Sequence, residues 1–209
     1  MESVRMIVVM TLFSAVSALV LAAFSNHTLP IIKETEKSVM VGRQLKKVIT
    51  NLDPPDPCKP AEAGYDNDPS KNSVCVGGKE VFRCTKGDEI AGYAFTTIGE
   101  NAYAGTLTCL VGIKPDGTIT GFEIVQSGET PGLGSEASKC TWRKQMIGKG
   151  PSDITWSVKK DGGDVDAISG ATITSRAVID CVTKAQTFVQ EHGAEIAAAP
   201  VATEDCNVE

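Results

Sequence analysis

The chain has 209 residues, with 26 acidic against 20 basic side chains and two histidines, for a net charge of −6. A length of this order houses one core of roughly 100–150 residues beside a membrane segment. Mild acidity without a basic stripe argues against nucleic acid as a partner. Two histidines leave little material for a His-ligated metal or a Cys–His catalytic pair.

Met6 to Phe24 is a 19-residue run free of charge and dominated by Val, Leu, Ala, Met and Phe. As a helix it reaches roughly 28 Å, close to the hydrocarbon thickness. A cleaved signal peptide would carry a shorter apolar region, about 7–15 residues, and a small-residue cleavage site. Residues 1–25 therefore read as a retained, single-pass membrane anchor. Arg5 precedes the run and Lys33 and Lys37 follow it, so positive charge does not decide its orientation. Residues 26–50 read as a connector helix, with Val39, Leu45, Val48 and Ile49 among charged residues and Gly42 weakening it. Across residues 51–87, Pro54, Pro55, Pro57, Pro60 and Pro69 break a polar stretch that also holds Cys58, Cys75 and Cys84. This segment reads as surface loop with one short strand at Glu80–Cys84; two of its cysteines are candidates for a disulfide outside the cytoplasm.

Residues 88–192 carry the domain. Ile90–Thr97, Gly105–Lys114 and Thr118–Ser127 are rich in β-branched and aromatic residues, and Pro115-Asp116-Gly117 marks a turn between the last two. These predict an antiparallel meander. Leu107, Cys109, Val111 and Ile113 alternate with Thr108, Leu110 and Gly112, which turns Cys109 to the core. A Gly/Pro turn at Gly128–Gly134 leads to a helix over Ser135–Ile147. Ile154–Lys159 reads as a strand, Asp161-Gly162-Gly163 as a turn, and Asp164–Ile168 as a short strand. The last helix shows its stripe in Val178, Cys181, Val182, Ala185, Phe188 and Val189, and residues 193–209 read as a disordered tail. The fold class is α+β, a largely antiparallel sheet with packed helices behind a transmembrane helix. Seven cysteines form no C-x-x-C pair, and their irregular spacing argues against a four-thiolate metal site.

The densest chemistry lies at Asp166-Ala167-Ile168-Ser169-Gly170-Ala171-Thr172-Ile173-Thr174-Ser175, a hydroxyl-rich, Gly-containing turn at the mouth of the last helix. Unpaired N–H groups and the positive end of the helix dipole suit an anion there, and Ser169, Thr172, Thr174 and Ser175 add hydroxyls. The plainer alternative is that one of these hydroxyls caps the helix. Neither G-x-G-x-x-G nor a P-loop pattern is present.

The run D-x-x-S-G-A-T-x-T, carried by Asp166, Ser169, Gly170, Ala171, Thr172 and Thr174, resembles the flavinylation motif of the FMN-binding domain found in the Rnf and Na⁺-translocating quinone reductase complexes. A second segment, Glu129-Thr130-Pro131-Gly132-Leu133-Gly134, resembles another recurring stretch of that family and lies in the right order. The resemblance implies FMN held covalently as a phosphoester on Thr174, attached by a dedicated flavin transferase. It implies that 129–134 lines the flavin, that the domain lies on the non-cytoplasmic side of the inner membrane, and that its partners are other membrane subunits. It further implies an electron-transfer subunit of an ion-translocating oxidoreductase, most similar in size to the Rnf G subunit. The C subunit of the quinone reductase and a stand-alone anchored flavoprotein remain alternatives. No residue reads as a general acid, base or nucleophile for substrate chemistry.

Overall fold

The structure, a computed structural model, describes residues 72–103, 105–127, 134–202 and Cys206, together with Met6, Met10 and Ser17. The chain divides into two units, Met1–Met40 and Val41–Glu209. In the first unit the three described residues are helical and exposed; the expected membrane anchor otherwise lies outside the described residues, as does the connector helix. Among the described residues, no helix is long and apolar enough to cross a membrane.

The second unit is built on a five-stranded antiparallel meander. Its strands are β1 (Ser73–Val76), β2 (Lys79–Lys86), β3 (Glu89–Ala102), β4 (Gly105–Ile113) and β5 (Ile119–Ser127), in that spatial order. The last three match the expected strands. The Pro115–Gly117 turn closes with Gly117 N–H on the Lys114 carbonyl at 3.0 Å, and Gly117 takes φ +86°. As the alternation predicts, Leu107, Cys109, Val111 and Ile113 are all buried in the core.

β2 contains the short strand expected at Glu80–Cys84, while β1 stands where loop was expected. Gly77 and Gly78, at φ +55° and +71°, form the two-residue turn that suits a tight hairpin, and it pairs β1 with β2. Val74, Val76, Val81 and Cys84 are buried along them.

After β5 the chain makes a 3-10 helix (Gly134–Ser138) and a one-turn helix, α1 (Cys140–Arg143), in place of one continuous helix over 135–147. Arg143 anchors α1 to β5 by donating to the Phe122 carbonyl at 2.6 Å and to the Glu123 carboxylate at 2.8 Å. The predicted strand at Ile154–Lys159 is reduced to one bridge, Val158 to Val165. Backbone bonds from Asp164 N–H to Thr155 O at 3.1 Å, Val165 N–H to Ser157 O at 3.1 Å and Lys159 N–H to Val165 O at 2.9 Å join the two segments, while the Asp164 side chain takes Thr155 N–H at 2.7 Å.

Helix α2 (Thr172–Ala198) lies across β3 and β4 and buries Val178, Cys181, Val182, Ala185, Phe188 and Val189, the predicted stripe. It outruns the expected end at His192. Ile196 is fully buried, and Arg83 donates to the carbonyls of Ala197 and Ala199 at 3.2 and 3.0 Å. The segment read as a disordered tail is thus tied to the sheet: Ala202 N–H bonds the Ser73 carbonyl at 2.7 Å, and Cys206 forms a disulfide with Cys75. Cys75 therefore pairs across the fold and not within its own stretch. Cys140 is disulfide-bonded too, while Cys84, Cys109 and Cys181 are buried thiols.

Candidate functional site

The helix mouth is built from the Val158–Val165 bridge upward. Beyond it Ile168–Ala171 makes a turn, with Ala171 N–H on the Ile168 carbonyl at 2.9 Å. Gly170 occupies φ +76°, a conformation that side chains resist, as its place in the motif suggests. The N-cap position falls on Ala171, and no side-chain capping bond is made there. The N-cap residue itself therefore supplies no capping side chain. Its first turn keeps the character of an anion site.

The hydroxyls divide by burial. Ser169 and Gly170 are exposed, Thr172 is half-buried, and Thr174 is 1% exposed. Ser175 is not free to serve a ligand. Its hydroxyl accepts from Ile168 N–H and donates to the Ala171 carbonyl, each at 3.0 Å, so it braces the turn from within.

Asp166, at the start of the motif, is gripped by its backbone. Gln145 accepts from Asp166 N–H at 2.7 Å through Oε1 and donates to Asp166 O at 3.2 Å through Nε2. The indole N–H of Trp142 donates to the same carbonyl at 2.7 Å. The carboxylate turns outward to Lys159 at 2.7 Å, a pair more than half exposed on both sides. Trp142 and Gln145 were not singled out by sequence, because nothing in their spacing announces a contact with a backbone more than 20 residues on, and neither was Lys159.

Of the second segment, Glu129, Thr130, Pro131, Gly132 and Leu133 lie outside the described residues. Gly134 opens the 3-10 helix Gly134–Ser138, which packs against α2 and β5. The chain leaving that segment thus returns to the helix that carries the motif.

Beside the motif a hollow of about 590 Å³ is lined by Glu100, Asn101, Ile173, Arg176, Asp180 and Lys184. Its charges are satisfied internally. Arg176 holds Asp161 with two bonds of 2.7 and 2.8 Å, which lowers the carboxyl's pKa and raises that of the guanidinium. Partial burial works against the charge on Lys184, but Asp180 at 2.9 Å and Glu100 at 3.4 Å outweigh it and leave its pKa raised. With its cations engaged in this way, the hollow suits a phosphate less well than the helix mouth does.

The region holding the last strands of the meander, the glycine-shaped turn and most of the long helix is an FMN-binding domain: residues 102–187 match that family. The chain belongs to the family of ion-translocating oxidoreductase complex G subunits. The relative from Cereibacter sphaeroides is 32% identical over 197 residues, covering 90% of this chain and 84% of its own. That from Cronobacter sakazakii is 31% identical over 190 residues, covering 84% and 88%, and that from Pasteurella multocida 31% identical over 197, covering 87% and 93%. Among solved structures, the chain is similar to the Na⁺-translocating NADH-quinone reductase C subunit from Parabacteroides distasonis, with TM-score 0.43 and 25% identity over 58% of this chain and 64% of that one. It is also similar to Shewanella oneidensis NqrC, with TM-score 0.45 and 22% identity over 69% and 82%.

Proposed function

We propose that this chain is the electron-transfer subunit of a membrane-bound Rnf-type ion-translocating oxidoreductase, with FMN joined to Thr174 by a phosphoester. The observation that carries the reading is the helix mouth, where Gly170 at φ +76° sets the hydroxyl run at a terminus whose N-cap residue, Ala171, makes no side-chain cap. The residues fit a phosphate diester. Esterification lowers the phosphate charge from about −2 to −1, and the first-turn N–H groups and helix dipole offset what remains. Bound FMN supplies reversible one- or two-electron transfer, and the protein contributes orientation and surroundings.

Attachment places a demand on the turn. The Thr174 hydroxyl attacks phosphorus and gives up its proton, so an O–P bond forms while the bond to a leaving group breaks. A free monoester has no good leaving group; a flavin transferase would therefore use a flavin dinucleotide, whose second half departs as a nucleoside monophosphate. Because Thr174 is buried, its side chain has to swing outward for the transferase, which can dock on the turn at exposed Ser169 and Gly170. Gly170→Val should force the turn out of positive φ, at a cost of about 1–2 kcal/mol, and cut flavin incorporation severalfold. Normal incorporation in that variant would remove the conformational argument.

The partners are the other subunits of the complex, and the flavin domain is assigned to the non-cytoplasmic side. The disulfides at Cys75–Cys206 and Cys140 support that side, since such bonds persist in oxidising compartments. The direct test is intact mass of the native protein from its own membrane, followed by mapping of the flavin peptide. An unmodified mass in active complex would overturn the covalent reading.

A further inference from the structure

We infer that Gln145 and Trp142 are positioning residues for flavin attachment, a latch that holds the acceptor turn in the form the transferase uses. The inference rests on the assignment of Thr174 as acceptor. Three bonds converge on one residue's backbone: Asp166 N–H to Gln145 Oε1 at 2.7 Å, and Gln145 Nε2 and Trp142 Nε1 to Asp166 O at 3.2 and 2.7 Å. A side-chain amide that both donates to and accepts from one residue's backbone imitates a strand partner. Asp166 is outside any strand and has no ladder neighbour of its own, so the latch supplies what the sheet does not.

What the latch leaves free matters as much as what it holds. With its backbone satisfied, the Asp166 carboxylate faces solvent beside Lys159, where an approaching enzyme can read it. Downstream, Asp166 and Thr174 belong to one short stretch, which the Ser175 bonds to Ile168 and Ala171 make compact. Displacement at Asp166 is therefore passed to the acceptor. The latch also joins the two flavin segments, because Trp142 and Gln145 follow closely on the 3-10 helix that Gly134 begins. Trp142 is itself fixed, its ring set edge-on to Phe122 at 6.5 Å, while Arg143 next to it is pinned to β5.

A turn that is only sometimes in the competent form binds its enzyme more weakly by that fraction, while chemistry on the bound turn is unchanged. The signature is a raised KM with kcat preserved. The experiment uses the full chain in membranes, with purified flavin transferase and flavin dinucleotide, and follows covalent flavin at Thr174 in wild type, Gln145→Ala, Gln145→Glu and Trp142→Phe. Gln145→Ala should lower kcat/KM of transfer about tenfold, on the scale of two lost hydrogen bonds. Gln145→Glu keeps the acceptor for Asp166 N–H and loses the donor, so it should fall between. Trp142→Phe keeps an aromatic ring and loses the indole N–H, and should show a smaller rise in KM. Wild-type KM and kcat in all three variants would overturn the latch, as would flavin loss that merely tracks loss of folded protein. Absence of flavin at Thr174 in the wild type would instead overturn the acceptor assignment itself.

Discussion

Thr174→Ala should abolish the proposed covalent flavin: the intact mass of the variant is expected to equal that of the bare polypeptide, with no fluorescent band surviving denaturing electrophoresis. Alanine removes the oxygen proposed to carry the ester, and neither neighbouring helix hydroxyl is placed to replace it. Ser175 is spent on the Ile168 and Ala171 backbone and is fully buried. Thr172 opens the helix two positions earlier, which turns its hydroxyl about 200° around the axis from that of Thr174. Thr174→Ser should accept flavin, because the oxygen is retained, and Thr172→Ala should accept it nearly as wild type. An adduct in Thr174→Ala, mapped to Thr172, would move the site by those two residues.

How far this site and fold can be read in the sequence depends on the range of the interaction concerned. Gly170, the stripe of α2 and the inward turn of Cys109 are local matters of backbone and period, and each is where the residues predict it. The β1–β2 hairpin is equally local. Gly77-Gly78 between V-C-V and K-E-V-F is a two-residue hairpin signal, obscured by the prolines that crowd the preceding stretch. The tail misleads for another reason. Its alanines and scattered acids offer little to pack, yet Ile196 is buried and the Cys75–Cys206 bond joins positions 131 residues apart. Disulfide connectivity of this kind has no local signal. The grip of Gln145 on Asp166 is a through-space contact between two loops, and periodicity carries no trace of it.

Gly99→Ala should be strongly damaging where β3 meets α2, costing about 3 kcal/mol or more, at the upper end of overpacking. A methyl at Gly99 would lie 2.2 Å from the Ala177 carbonyl oxygen and 2.9 Å from Cys181 Sγ. The first of these is helix backbone and cannot rotate aside, so β3 has to lift from α2. Lifting also strains the bonds that clip the two together: Glu100 N–H to Asp180 at 3.1 Å, Lys184 to the Ile98 carbonyl at 3.0 Å, and the Cys181 thiol to the Thr97 carbonyl at 3.5 Å. Thermal unfolding should therefore fall by about 10 °C. Gly193→Ala provides the opposite case. That glycine sits within α2, where an added methyl meets only Val189 Cγ1 at an ordinary 3.8 Å, and replacing a helical glycine gains up to about 1 kcal/mol. The same chemical change thus has opposite signs in β3 and in α2, with backbone proximity deciding which. Equal melting temperatures for the two variants would show that β3 and α2 do not approach as closely as Gly99 permits.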